Sequence, residues 1–183
     1  VERADYRIRQ ADLADAPALA DVHETTWRET YAGLMSEQML DALTSDARAA
    51  VWRRILAGQS ERPATVYVAE RAGTLVAFSS CGPQTDPQFA AAGYAGEFTS
   101  VYVLKTDQRQ GLGTSLMRAM MADLANRGLV GFTLWVPHRN IPARSLYTQL
   151  GGKLAGRREI QRGDASLVEV AYAWAAIAGQ PAG

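Results

Sequence analysis

The apolar positions of the chain recur with periods that change along its length, and each period predicts an element. In DYRIRQ, Tyr6 and Ile8 alternate with polar neighbours, the two-residue repeat of a short strand. Leu19, Val22 and Trp27 then mark the stripe of a helix that Asp12 or Asp15 can cap, with Pro17 tolerated in its first turn. A second helix runs from SEQMLDAL to ARAAVWRRILAG, in two pieces if Ser45 or Asp46 restarts it near TSD. ATVYVAE and TLVAFSS flank the turn RAG as a hairpin, and EFTSVYVL is a third strand of that group. Leu116, Met117, Met120, Met121 and Leu124 share one face of a helix over 112–127, stopped by Gly128. A strand over 129–136, a helix over 141–150 and strands at about 153–161 and 166–174, joined by QRGD, complete the pattern. Residues 79–97, with two prolines and three glycines, read as a long connection. The order β-α-α-β-β-β-α-β-α-β-β predicts a mixed α+β domain over 1–178 with about four helices, and a flexible tail over 179–183.

Composition narrows the class. Of 183 residues, 48% are apolar, enough for one sizeable core. No apolar run is long enough to span a membrane, and the charged stretch VERADYRIRQ lacks a signal-peptide core, so a cytoplasmic protein with no membrane partner is expected. The lone Cys81 excludes an internal disulfide framework. A formal net charge of zero argues against a general nucleic-acid binder. That charge is unevenly spread. Residues 1–103 carry nine Lys/Arg against fourteen Asp/Glu, while 104–162 carry ten against three. Beyond ordinary solvated surface, this suits a polyanion held by the second half and a cation approached by the first.

The basic segment contains QRQGLGTSLM, residues 108–117, between a strand and a helix N-terminus. Free N–H groups and the helix dipole attract anions there, and glycine admits close approach. A Walker loop needs a lysine after the glycines, and none follows. A dinucleotide fingerprint needs a third glycine where Leu116 stands and an acid some twenty residues on. Between Asp123 and Glu159 there is no acid. What remains is Q/R-x-x-G-x-G/A, carried by Gln108, Gly111 and Gly113.

A second motif follows, NIPARSLYTQLGG over 140–152. Asn140 is placed to cap a helix, and Ala143, Leu146 and Leu150 mark its buried side, flanked by Tyr147. Together the two motifs, at this separation and in this element order, resemble the GNAT superfamily of acetyl-CoA-dependent N-acetyltransferases. The resemblance covers nearly the whole chain. TWRETYAGLMSEQMLDAL also resembles a bacterial subgroup of it. Gln108 stands where the family commonly has arginine.

The resemblance implies a largely antiparallel mixed sheet splayed between its fourth and fifth strands, with acetyl-CoA as cosubstrate in the split and no metal. Residues Gln108, Arg109, Gln110, Gly111, Leu112, Gly113 and Thr114 would wrap the pyrophosphate. The main chain of Val101, Tyr102 and Val103 would pair with the pantetheine, and a strand N–H near Val103 would face the oxyanion. Asn140 would contact the pantetheine arm, a role compatible with capping. Tyr147 would protonate the departing thiolate as general acid. Glu97 is the implied general base, with His138 as runner-up, because an alkylammonium must lose a proton before it attacks. Trp27, Glu29 and Tyr31 would line the acceptor pocket, although Trp27 equally suits a core. Family habit adds a homodimer.

Other chemistries fail. Cys81 has only His23 and His138 as partners, no G-x-S-x-G occurs, and two histidines with one cysteine make no metal cluster. The leading reading is acetyl transfer to a small-molecule primary amine by direct attack. Its rivals are a protein or peptide N-acetyltransferase and a non-catalytic acyl-CoA sensor on the same fold.

Overall fold

In the computed structural model, the described residues are 5–33, 35–41, 44–162 and 165–175, and the expected tail lies outside them. The strands are β1 (Tyr6–Gln10), β2 (Thr65–Arg71), β3 (Thr74–Pro83), β4 (Gly96–Val103), β5 (Phe132–Pro137), β6 (Lys153–Arg162) and β7 (Ala165–Trp174). The helices are α1 (Ala16–Tyr31), α2 (Glu37–Asp41), α3 (Ser45–Leu56), α4 (Pro87–Ala91), α5 (Leu112–Asn126) and α6 (Ile141–Gln149). The strands form one sheet in the order β1-β2-β3-β4-β5-β7-β6. Every pairing is antiparallel except β4–β5, which is parallel.

The sheet is covered on both faces because its strands alternate between two cores. Val66 and Val68 of β2 turn to α1 and α3, where they join Leu19, Trp52 and Phe78. Beyond them, Met117, Met120 and Leu124 of α5 pack with Tyr147 of α6, Leu134 of β5 and Trp174 of β7. The predicted Met/Leu stripe is therefore core. The two expected caps close a short 3-10 turn (Leu13–Asp15) that leads into α1, and Asp15, at the N-cap of α1 itself, makes no side-chain cap hydrogen bond to it. The Asp12 side chain accepts from Ala14 N–H at 2.8 Å, and Asp15 accepts from Asp12 N–H at 2.8 Å. Asp15 also accepts two hydrogen bonds from Arg9, whose guanidinium continues to Glu70. Strand, helix start and second strand are thus tied by one side chain.

Two expectations change. Thr44 caps α3, one residue before the expected Ser45 or Asp46, by accepting from Ala47 N–H. The stretch 79–97 is not one long connection. β3 continues to Pro83, α4 occupies Pro87–Ala91, and β4 begins at Gly96. Ser79, Ser80 and Cys81 are small enough to be buried inside the sheet, and Asp86 followed by Pro87 starts a helix as readily as a turn.

Candidate functional site

β4 and β5 pair only at Gly96–Phe132 and Glu97–Thr133, so the two strands part beyond Glu97. β4 nevertheless runs on to Val103, paired on its other edge with β3. Leu104 N–H donates to Val76 O at 2.9 Å, and Tyr102 lies opposite Phe78. Antiparallel alternation therefore turns the N–H and C=O groups of Val101 and Val103 away from β3 and into the split. A strand left half-paired in this way is a template for an extended, amide-bearing guest. At the closed end of the split, the register with β3 slips between Ser80 and Cys81, which leaves Thr99 as a bulge residue. Its hydroxyl lies 2.6 Å from that of Ser80.

α5 begins where β4 ends, and its entrance carries no side-chain cap. Gly111 is the N-cap residue at φ +83°, a left-handed value that favours glycine. Ser115 N–H donates to Gly111 O at 3.0 Å, which makes the N–H groups of Leu112, Gly113 and Thr114 the free ones of the first turn. Gly113 is needed for a different reason: a Cβ there would lie 2.9 Å from Leu146 Cδ2 of α6. Any side chain at the second glycine would therefore have to displace the end of Leu146. Arg109, exposed, holds φ at 64°, a strained turn for a non-glycine residue, and Gln110 is exposed beside it. Gln108 donates from Nε2 to Val103 O at 3.1 Å, bridging the mouth of the split. The loop is fixed from behind by the fully buried Asp107, which accepts from the Tyr6 hydroxyl at 3.1 Å and pairs with Arg71 at 3.0 Å.

α6 supplies the phenol. The Asn140 side chain accepts from Ala143 N–H at 3.2 Å, fulfilling the cap role. At the other end Gly151 N–H donates to Thr148 O and Gly152 N–H to Tyr147 O, which stops the helix one turn after Tyr147. Tyr147 is 5% exposed, its ring 5.8 Å from that of Tyr172 and 6.2 Å from that of Trp174. Burial pushes its hydroxyl above the ordinary phenol range, so it stays protonated in neutral solution.

On the α1–α3 side of β3 and β4 lies a cavity of about 610 Å³. His23, Arg48 and Trp52 line it from the helices, and Ser80, Thr99 and Ser100 from the strands. Thr85, also in its wall, donates to the Glu97 carboxylate from its N–H at 2.9 Å and its hydroxyl at 2.6 Å. Glu97 thus stands where the split closes, held by a residue of the cavity. His23 sits among the rings of Trp27, Trp52, Phe78 and Tyr102, at 5.4 to 5.8 Å. Burial, and then the charge of Arg48, pushes its imidazole down to about 3. Trp27 stands behind this wall, its ring centre 5.1 Å from the Arg48 guanidinium on one side and 4.4 Å from the Tyr31 ring on the other.

The other expected residues lie elsewhere. Tyr31 is 3% exposed and packs with Met35, Leu40 and Leu167. Glu29 is exposed in an outer groove with Asp21, Glu24, Thr25 and Arg28. His138 is exposed, with its N–H donating to Val168 O. Cys81 is buried against Asp123, and burial first, then that carboxylate, pushes its thiol up to about 12.

The model of the acetyltransferase (GNAT) family matches residues 19–152. The chain belongs to the GNAT family. It is an acetyl-CoA-dependent acetyltransferase. A Bacillus subtilis (strain 168) relative, the uncharacterized N-acetyltransferase YuaI, is 29% identical over 169 residues, 91% of each chain. Among solved structures, yncA from Salmonella typhimurium with its cofactor acetyl-CoA has a TM-score of 0.68 at 22% identity, covering 93% of each chain. The PaiA N-acetyltransferase of Thermoplasma acidophilum in complex with coenzyme A has a TM-score of 0.65 at 16% identity, covering 91% of this chain and 98% of that one. These two likenesses concern the fold.

In this GNAT chain, sequence reasoning missed the Thr99 bulge, the Arg48–His23 pair and Thr85 as the holder of Glu97. Arg48 and Trp52 stand one turn apart in ARAAVWRRIL, a faint signal that both face the same way. Nothing in the sequence shows that this face meets β3 and β4.

Proposed function

We propose that this GNAT enzyme moves the acetyl group of acetyl-CoA to a primary amine of a small molecule, by direct attack within a ternary complex. The observation that carries this reading is the β4 main chain at Val101 and Val103, turned into the split and continuous with the uncapped entrance of α5. The pantetheine pairs with that edge as a short extra strand. The pyrophosphate rests on the N–H groups of residues 111–114, with Arg109 adding charge from the rim and Asn140 beside the pantetheine arm.

Attack forms a C–N bond and pushes an electron pair onto the carbonyl oxygen, which a β4 N–H near Val103 stabilises. Collapse of the intermediate breaks the C–S bond. Tyr147 gives its proton to the leaving thiolate, and the enclosed phenol is protonated and ready. Glu97 takes the amine's surplus proton, directly or through water. Its position at the closed end of the split, tied to a cavity residue, supports that role.

A walled cavity of about 610 Å³ suits a small acceptor better than an extended peptide. The test is a panel of primary amines with acetyl-CoA, read as free thiol. At least one amine should be turned over, and Tyr147→Phe should abolish most of that rate while keeping affinity for coenzyme A. An inactive wild type that still binds coenzyme A would favour a sensor.

A further inference from the structure

The acceptor cavity contains a cation that the protein leaves without an acid. Among the described residues, no carboxylate lies within ion-pair distance of Arg48. Its Nε is buried and has no hydrogen-bond partner among the described residues. Its Nη1 lies 3.1 and 3.0 Å from the two ring nitrogens of His23, a neutral partner that brings no negative charge. Glu24, the acid of the neighbouring helix, is engaged by Arg28 at 3.4 Å and acts on Arg48 only through space. The remaining charges of the cavity wall are Glu61 and Arg62, both exposed at its rim.

Half-buried, with the Trp27 ring and His23 against it but no acid, the guanidinium has its charge only partly offset. The planar guanidinium end, which lines the cavity, matches a carboxylate, which takes two parallel hydrogen bonds from such a fork. The neutral imidazole beside it adds an N–H donor and no competing charge. Val51, Trp52, Ile55 and Pro63 give the wall an apolar side, Ser80, Thr99 and Ser100 a hydroxyl-bearing one, and Thr85 carries Glu97 at its edge. The occupant this wall fits has an anionic end, an apolar body and an amine.

We propose that Arg48, assisted by His23, binds a carboxylate, so that the acceptor is an amino acid or a close analogue rather than a simple alkylamine. This inference rests on the acetyl-transfer reading above for its substrate role, but not for its anion site. It also runs against the expectation drawn from the acidic first half, because the half-buried charge of the cavity is positive.

Two measurements separate the two claims. The first compares turnover of paired amines, leucine against isoamylamine and phenylalanine against phenethylamine, in the wild type and in Arg48→Gln. The carboxylate member should lead by about 30-fold or more in kcat/KM, and Arg48→Gln should bring the ratio near one, chiefly through KM. Arg48→Lys, which keeps charge but not the fork, should fall between. The second measurement is calorimetric binding of N-acetyl-leucine and N-acetyl-leucinamide to the coenzyme A complex, with unaltered melting as the check on each variant's folding. Only the carboxylate should bind, and only with Arg48 intact. Equal use of both amines, or a preference that survives Arg48→Gln, overturns the carboxylate site. Arg48-dependent binding with no amine turned over would keep the site and overturn the acetyl-transfer reading.

Discussion

Along its free edge, β4 offers the split only main chain: the amides of Val101 and Val103, followed by those of the α5 entrance. On the face turned to α1 and α3, the same strand offers hydroxyls and meets side chains from distant segments, Arg48 and His23 among them. In the proposed reading, the first surface grips groups common to every molecule of donor. The second is assembled from residue identities that can change without disturbing the sheet. A fold can therefore keep one cosubstrate while its acceptor varies, because the two are recognised by different kinds of atoms.

The sharpest way to break this division is at Tyr147, to which the proposed mechanism gives the thiolate's proton. Tyr147→Phe should lower turnover by about 10²- to 10⁴-fold, with the coenzyme A dissociation constant changed less than about twofold. A loss of coenzyme affinity equal to the loss of rate would mean that the ring packs the split rather than acting as an acid. Next comes Gly113→Val, which forces branched carbon against Leu146 and pushes α6 from the α5 entrance. Overpacking of about 1–3 kcal/mol should appear in the melting curve, together with about tenfold weaker coenzyme A binding. Adding Leu146→Ala should recover part of both. Failure of that rescue would show that Gly113 matters to the ligand alone.

The acceptor side has its own signature in pH. His23 holds its folded-state value at about 3, below the unfolded value of about 6.5. As pH falls through about 6.5, the unfolded chain gains a proton that the native state refuses, so stability is full above that pH and declines toward 3. Asp15, lowered by the Arg9 hydrogen bonds, adds its own loss only below about 4. Urea midpoints between about pH 6.5 and 4.5 should therefore fall in the wild type and stay flatter in His23→Gln. The smallest effect is expected at Cys81. Its thiol, buried and raised to about 12, should resist alkylation at pH 8 until the protein is unfolded, and Cys81→Ala should keep activity within about twofold.

Legibility in the sequence follows the same division. The α5 stripe, the glycine entrance and the α6 motif are local patterns, and each falls where the residues predict. The split was implied by family likeness and is visible in the two-pair contact of β4 with β5. What the sequence hid is non-local. Ser79, Ser80 and Cys81 are interior strand residues, but small polar side chains beside Pro83 carry a loop's composition. Tyr31 has the chemistry of an aromatic pocket wall, yet burial against α2 and β7 engages it elsewhere. Arg48 showed only a helical phase. Its meaning depends on helix α3 crossing strands more than thirty residues later in the chain.

Asp107 joins the turn before α5, the proposed seat of the diphosphate, to Tyr6 of β1 and Arg71 of β2, at the outer margin of the sheet. A genetic screen for weakened donor use should therefore recover lesions at Tyr6 and Arg71, neither of which has any business with the thioester. Such alleles would look like defects in a remote edge while reporting on the anchorage of a nucleotide.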